Sequence, residues 1–239
     1  MLKRLLPALL ILLAAPALAA PAVLPALLPY TATYSVITHG VRAGEAQFKL
    51  EKLGKDRWRF SSESHTTGLV SLFRHDRIVE SSVFTINAAG GFNAREYHYS
   101  HTGDDEQTQD ILFDWNKAVA HSTYRGDKKA IDIPNGASDP FLAQLKLSRH
   151  VAEGMTTGRF PVVNRNKLDI YNLKVTGRDG VSVPGGTFTA VRVVRGDAKS
   201  SRKTIFWLAP KLNYVPVKVE QVKDGDSVFR LELRSIDFK

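Results

Sequence analysis

Ser138–Val151 reads S-D-P-F-L-A-Q-L-K-L-S-R-H-V. It is the stretch of this chain with the full signature of a helix. Asn135-Gly136 ends the segment before it, Ser138 or Asp139 can cap free N–H groups, and Pro140 suits a first helical position. Phe141, Leu142, Leu145 and Ala152 recur at helical spacing, and Leu147 and Val151 widen the apolar stripe. Lys146, Arg149 and His150 lie toward the C-terminal end, where positive charge suits the helix dipole, and Gly154 is the stop. Such a helix has to bury its apolar side, and in this chain only a sheet is large enough to receive it.

The rest of the chain from Tyr30 onward alternates like strands. Ala32–Ile37 and Arg42–Lys52 flank a hairpin signal at His39-Gly40, and Phe48 and Leu50 alternate with Gln47, Lys49 and Glu51. Further strands are expected over Arg57–Thr67, Arg77–Ile86, Ala94–His101, Thr108–Asp114, Ala118–Tyr124 and Lys128–Ile133. After the helix come Arg159–Val163, Leu168–Thr176 with a turn at Asp179-Gly180, and Thr187–Arg195 after a turn at Val183-Pro184-Gly185-Gly186. Thr204–Leu208 follows. The clearest pair closes the chain, Asn213–Lys223 and Ser227–Phe238 about Asp224-Gly225. Short, evenly spaced, alternating strands form antiparallel sheet, and this many must curl, close or split. The expected fold is therefore mainly β: a strongly curved antiparallel sheet or incomplete barrel, with one central helix at about 138–152 packed at its concave side or mouth.

The N-terminus is expected to lie outside this fold. Lys3 and Arg4 precede the apolar run Leu5–Leu18, and Ala17-Leu18-Ala19 is an A-x-A site, so residues 1–19 read as a signal peptide cleaved after Ala19. Residues 20–29 read as a loose lead-in, and 30–239 as a single β-rich domain. The compartment implied is the bacterial periplasm. With no cysteine in the chain, disulfides, thiolate chemistry and a lipid anchor on an N-terminal cysteine are excluded. No later stretch approaches 18 apolar residues, so no transmembrane segment is expected after cleavage. The net charge of +9 would meet anionic envelope components or simply keep the protein soluble, and no nucleic-acid partner is expected.

No catalytic signature emerges. There is no G-x-S-x-G, H-E-x-x-H, phosphate loop or G-x-G-x-x-G. Ser200-Ser201-Arg202-Lys203 matches S-x-x-K only formally, because it lies in a charged link between strands. His98 and His101, with Asp104 and Asp105, suggest a metal until the strand period is considered, since residues three apart face opposite sides. Glu63 and His65 share a face and read better as a hydrogen-bonding pair than as an acid–base pair. His75-Asp76 has no nucleophile beside it. No enzyme activity, cofactor or metal is expected.

D-P-F-L-A-Q-L-K-L-S-R, V-P-G-G-T-F-T-A-V-R-V, and F-W-L-A-P followed by Y-V-P-V-K-V-E together resemble a family of exported bacterial proteins known only as a domain of unknown function. Y-S-V-I-T-H-G-V-R-A-G-E-A and T-T-G-L resemble its N-terminal half. The likeness runs from about Tyr30 to Phe238 and departs in the helix, where Phe141 and Gln144–Lys146 replace the small residue and tyrosine common there. The resemblance implies an exported β-rich fold and supplies no catalytic residues. A looser likeness is to the periplasmic lipoprotein carriers, whose half-open barrels hold acyl chains beneath helices.

These readings converge on a non-enzymatic periplasmic protein that binds an apolar or amphiphilic envelope ligand, such as a lipid. The alternative is an adaptor that docks another envelope protein through a sheet edge or face. The candidate cavity residues are Leu69, Leu72, Phe73, Phe141 and Leu145. The candidate contacts to an anionic group are Arg192, Arg195, Lys199, Arg202 and Lys203.

Overall fold

Period-two alternation carries almost the whole fold. The computed structural model describes residues 26–68, 71, 76–104, 106–196 and 200–239. Its strands are β1 (Tyr30–Thr38), β2 (Val41–Lys52), β3 (Arg57–Thr66), β4 (Arg77–Ile86), β5 (Phe92–Thr102), β6 (Gln107–Asp114), β7 (Val119–Tyr124) and β8 (Asp127–Asp132). After helix α1 (Leu142–Ala152) follow β9 (Thr157–Asn164), β10 (Lys167–Val183), β11 (Gly186–Arg195), β12 (Arg202–Ala209), β13 (Val215–Lys223) and β14 (Asp226–Phe238).

All 14 strands form one sheet in the order β8-β7-β6-β5-β4-β3-β2-β1-β14-β13-β12-β11-β10-β9. Every neighbouring pair is antiparallel. The first and last strands meet in the middle, with Tyr30 opposite Phe238. The edges, β8 and β9, are the strands on either side of the helix. The sheet curls into a nearly closed barrel, as so many strands require. Its edges approach where Asn166 Nδ2 donates to the Asp127 carbonyl at 3.0 Å. Ser138 adds a single parallel bridge to Val162. Hairpins at His39-Gly40, Arg125-Gly126, Arg165-Asn166 and Asp224-Gly225 carry positive φ at His39, Gly40, Arg125, Gly126, Arg165, Asn166, Asp224 and Gly225, the geometry that matches strand twist.

The helix begins at Leu142, later than the sequence suggests. Ser138 is drawn into the bridge with β9, so Asp139 takes over the cap from beyond the first turn. Its Oδ1 accepts from the Phe141 N–H at 2.9 Å and the Leu142 N–H at 2.7 Å. No residue of α1 is exposed, because the helix lies within the curl of the sheet and not on its outside. Phe141 is fully buried, and its ring stacks on Phe60 at 4.2 Å and 12°. Leu145 is buried as well.

Asp179-Gly180 is not a turn. β10 runs through it, pairing Asp179 with Ala190 and Gly180 with Thr189, and bends instead at a bulge near Gly177. The Asp179 carboxylate accepts from Trp207 Nε1 at 2.8 Å, which holds the strand straight there. The real turn follows Val183. There Gly185 packs so closely that a Cβ would lie 3.0 Å from the carbonyl oxygens of Leu233 and Arg234. Gly186 supplies the positive φ. The end of the lead-in is tied down, since Leu27 packs on the core and the Lys239 N–H bonds the Pro29 carbonyl at 2.9 Å.

The outer face carries ion pairs such as Arg57–Glu96 and Arg77–Glu63. Exposed pairs of this kind add little stability. No described helix is long and apolar enough to cross a membrane.

Candidate ligand cavity

A cavity of about 630 Å³ occupies the barrel at the end marked by the His39-Gly40 turn. Strand alternation builds its walls, because residues two apart on a strand face the same side. Val36, Phe48, Phe206, Val219 and Leu231 supply an apolar wall from β1, β2 and β12–β14. Ser62, Ser64, Glu80, Tyr99 and His101 supply a polar wall from β3–β5. Phe141 and Gln144, at the start of α1, close the inner end. The volume falls within the range of small-molecule sites, about 300–1,000 Å³.

The polar wall is an ordered set of bonds. Asp76 Oδ1 and His101 Nε2 lie 3.0 Å apart near the mouth. Deeper in, the Tyr97 hydroxyl donates to Glu80 Oε1 at 2.7 Å. Behind it the Ser82 hydroxyl donates to Asp139 Oδ1 at 2.5 Å. Burial pushes the Glu80 carboxyl up to about 7, against a lowering by the Tyr97 bond and with a further push from Asp139. Burial also raises Asp139, although Ser82 and the helix N–H groups oppose it.

Glu80 thus has a clear pH signature. An acid raised on folding holds its proton in the native chain while the unfolded chain has lost it. Stability therefore falls as pH rises from the ordinary value of 4.5 toward about 7, and the loss is complete above that. The groups that face Glu80 are Tyr97, Asp139, Tyr99 and, more distantly, Tyr171. Glu80→Gln is expected to gain about 2 kcal/mol relative to the parent between pH 5 and pH 8. Urea unfolding at both pH values tests this, and a pH-independent difference would remove Glu80 from the account.

Of the residues singled out from sequence, Phe141 lines the cavity, but Leu145 does not. Leu145 points to the opposite end, where it borders a space of about 50 Å³ with Tyr30, Leu50 and Phe92. One helical turn and the curvature of the sheet separate the two side chains. Leu69, Leu72 and Phe73 lie outside the described residues, as do Lys199, His75 and Asp105. The basic cluster does not act as one patch. Arg195 turns inward and lines the cavity. Arg192 faces outward, 3.4 Å from Asp179, and Arg202 is exposed beyond it. Lys203 neighbours Arg202 on β12 and stands opposite Val222 of β13.

The histidines diverge as the strand period requires. His98 pairs outside with Asp110 at 2.7 Å, and His101 turns inside to Asp76. Glu63 accepts from Arg77 Nε across the strands at 2.8 Å, while His65 lines the cavity. Sequence reading misses Glu80, Asp76 and Tyr99 as cavity residues. Their alternation with outward residues is visible, but which side faces a lumen depends on the direction of curl.

These features define the class: a β-barrel-like domain with a helix in its lumen and a cavity beside the helix start. The chain belongs to the family described as "Protein of unknown function (DUF3108)", whose model matches residues 29–234. The structure is similar to the crystal structure of a β-barrel-like protein of domain of unknown function DUF1849 from Brucella abortus. The TM-score is 0.55 at 11% identity, over 89% of this chain and 98% of that one. At that identity the likeness is one of fold alone. No curated protein matches the chain.

Proposed function

We propose that this protein is a non-enzymatic binding protein or carrier for an apolar or amphiphilic ligand of the bacterial envelope, working in the periplasm after cleavage behind Ala19. The observation that carries the reading is the 630 Å³ cavity with one apolar and one polar wall. A close-packed barrel of this size would fill such a space with side chains. The adaptor reading draws less support. The edge strand β8 carries Asp127, Lys128, Lys129 and Asp132, charges that discourage the addition of a partner strand.

A hydrolase reading would use Ser64, His101 and Asp76, all of which line the cavity. Ser64 pairs with Ile78 and Ile78 with His101, so the serine and the imidazole stand two strands apart. That puts their backbones roughly 9–10 Å apart, and the partner of the His101 imidazole is Asp76, not the serine.

Native mass spectrometry of the protein purified from its own periplasm tests the proposal. The expected result is a chain beginning at Ala20 that carries a releasable small amphiphile. A chain that retains Met1 would remove the compartment. A chain recovered empty that also takes up no hexadecanoate or hexadecanol would remove the carrier.

A further inference from the structure

The cavity is lined by a cation that pairs with no carboxylate among the described residues. Arg195 lines it from the last residue of β11. Its guanidinium donates to Thr204 Oγ1 at 2.8 Å and lies 4.5 Å from the centre of the Tyr171 ring. Among the described residues it forms no ion pair, although many of the chain's other arginines pair with carboxylates. Taking a guanidinium out of water is costly, and a ligand anion would relieve that cost.

Strand register places this cation relative to the apolar wall. Thr38, Phe229, Gln221, Thr204 and Arg195 are successive partners across five strands. Val36, Leu231, Val219 and Phe206 form the next row, two residues further from the His39-Gly40 turn. A ligand lying along the cavity would meet hydrocarbon in the deeper row and the guanidinium in the outer one. On the opposite wall, burial raises the Glu80 carboxyl to about 7, so that group is mostly protonated below this pH, and the Asp76 carboxylate is engaged by His101 at 3.0 Å.

Resting on the carrier reading above, we infer that the ligand is a single-chain amphiphile ending in an oxyanion, its anionic end paired with Arg195 and its chain laid on Val36, Phe206, Val219 and Leu231. A carboxylate and a phosphate ester share this chemistry. Arg offers either a planar fork of N–H donors, and Thr204 and Gln221 stand beside it in the same row.

Isothermal titration of the mature protein at pH 6.5 with hexadecanoate, hexadecyl phosphate, hexadecanol and inorganic phosphate tests the inference. One or both of the anionic chains should bind at least about tenfold more tightly than hexadecanol, the difference that a charge-assisted hydrogen bond supplies. Inorganic phosphate alone should not bind measurably. Which anionic chain binds more tightly distinguishes a fatty-acid source from a phospholipid-derived one. Arg195→Gln should weaken the anionic chains far more than hexadecanol and so erase the preference, and Arg195→Lys should restore part of it. Should Arg195→Gln fail to fold, the parent protein's preference among the four probes still decides. Equal affinity for hexadecanol and both anionic chains would overturn the anion pairing and leave the carrier standing. Binding of none of the chains would overturn both, and binding of inorganic phosphate alone would overturn the amphiphile.

Discussion

Phe141→Ala is expected to lower the unfolding free energy by about 3–5 kcal/mol, the cost of removing a large aromatic group from a packed interior. The side chain is fully buried, stacked on Phe60 at 4.2 Å and tilted to Phe48 at 5.9 Å. It lines the cavity, but its face stacks on Phe60 and Phe48 is tilted beside it, so truncation loses those ring contacts as well as burial. The same change enlarges the cavity at its inner end, which on the carrier reading gives a ligand chain more room. Longer-chain ligands should therefore be retained better by the variant than by the parent. Urea unfolding and titration with hexadecanoate and docosanoate measure the two effects. A stability loss under about 1 kcal/mol, far below the usual cost of such a truncation, would show that the helix start does not plug the barrel.

Asp139→Ala should cost about 2–4 kcal/mol, for a different reason. Asp139 is completely buried, and one oxygen accepts from Ser82, Phe141 and Leu142. Alanine would strand a hydroxyl and two helix N–H groups away from water. Asp139→Asn keeps the accepting oxygen and should cost less. The sign with pH follows from the direction of the shift. Burial raises the folded-state value of Asp139, so ionising it weakens the native state as pH rises above the ordinary range. The asparagine variant should therefore be closest to the parent at high pH and furthest from it near pH 4. Paired urea titrations check this, and a deficit that grows with pH would mean that the ionised carboxylate is the stabilising form.

Much of the fold is legible in the residues themselves. Arg77–Ile86 coincides with β4, and the His39-Gly40 and Asp224-Gly225 hairpins fall where their dipeptides stand. These are local matters: two residues with positive φ set a hairpin, and period two sets a strand face. The expected Asp179-Gly180 turn does not form, because a turn dipeptide can also sit in a long strand. There Trp207, from two strands away, takes the Asp179 carboxylate that would otherwise serve a local turn. The late helix start has the same kind of cause, since Ser138 finds a strand partner in Val162.

Local pattern is enough for the class of fold, the one helix, the absence of cysteine chemistry and the alternation that makes each strand two-faced. It does not decide which face becomes a lumen; the closing of the sheet does. Glu80, Arg195 and His101 look like ordinary strand residues until the sheet curls, because a two-sided strand does not say which side is inside. The curl brings them around one cavity, Glu80 and His101 from the neighbouring strands β4 and β5 and Arg195 from β11, far along the chain. It also sends Leu145 and Phe141, neighbours one turn apart, to opposite ends of the barrel. Periodicity sets the faces, but the meeting of faces depends on how the whole sheet closes, and no single stretch contains that information.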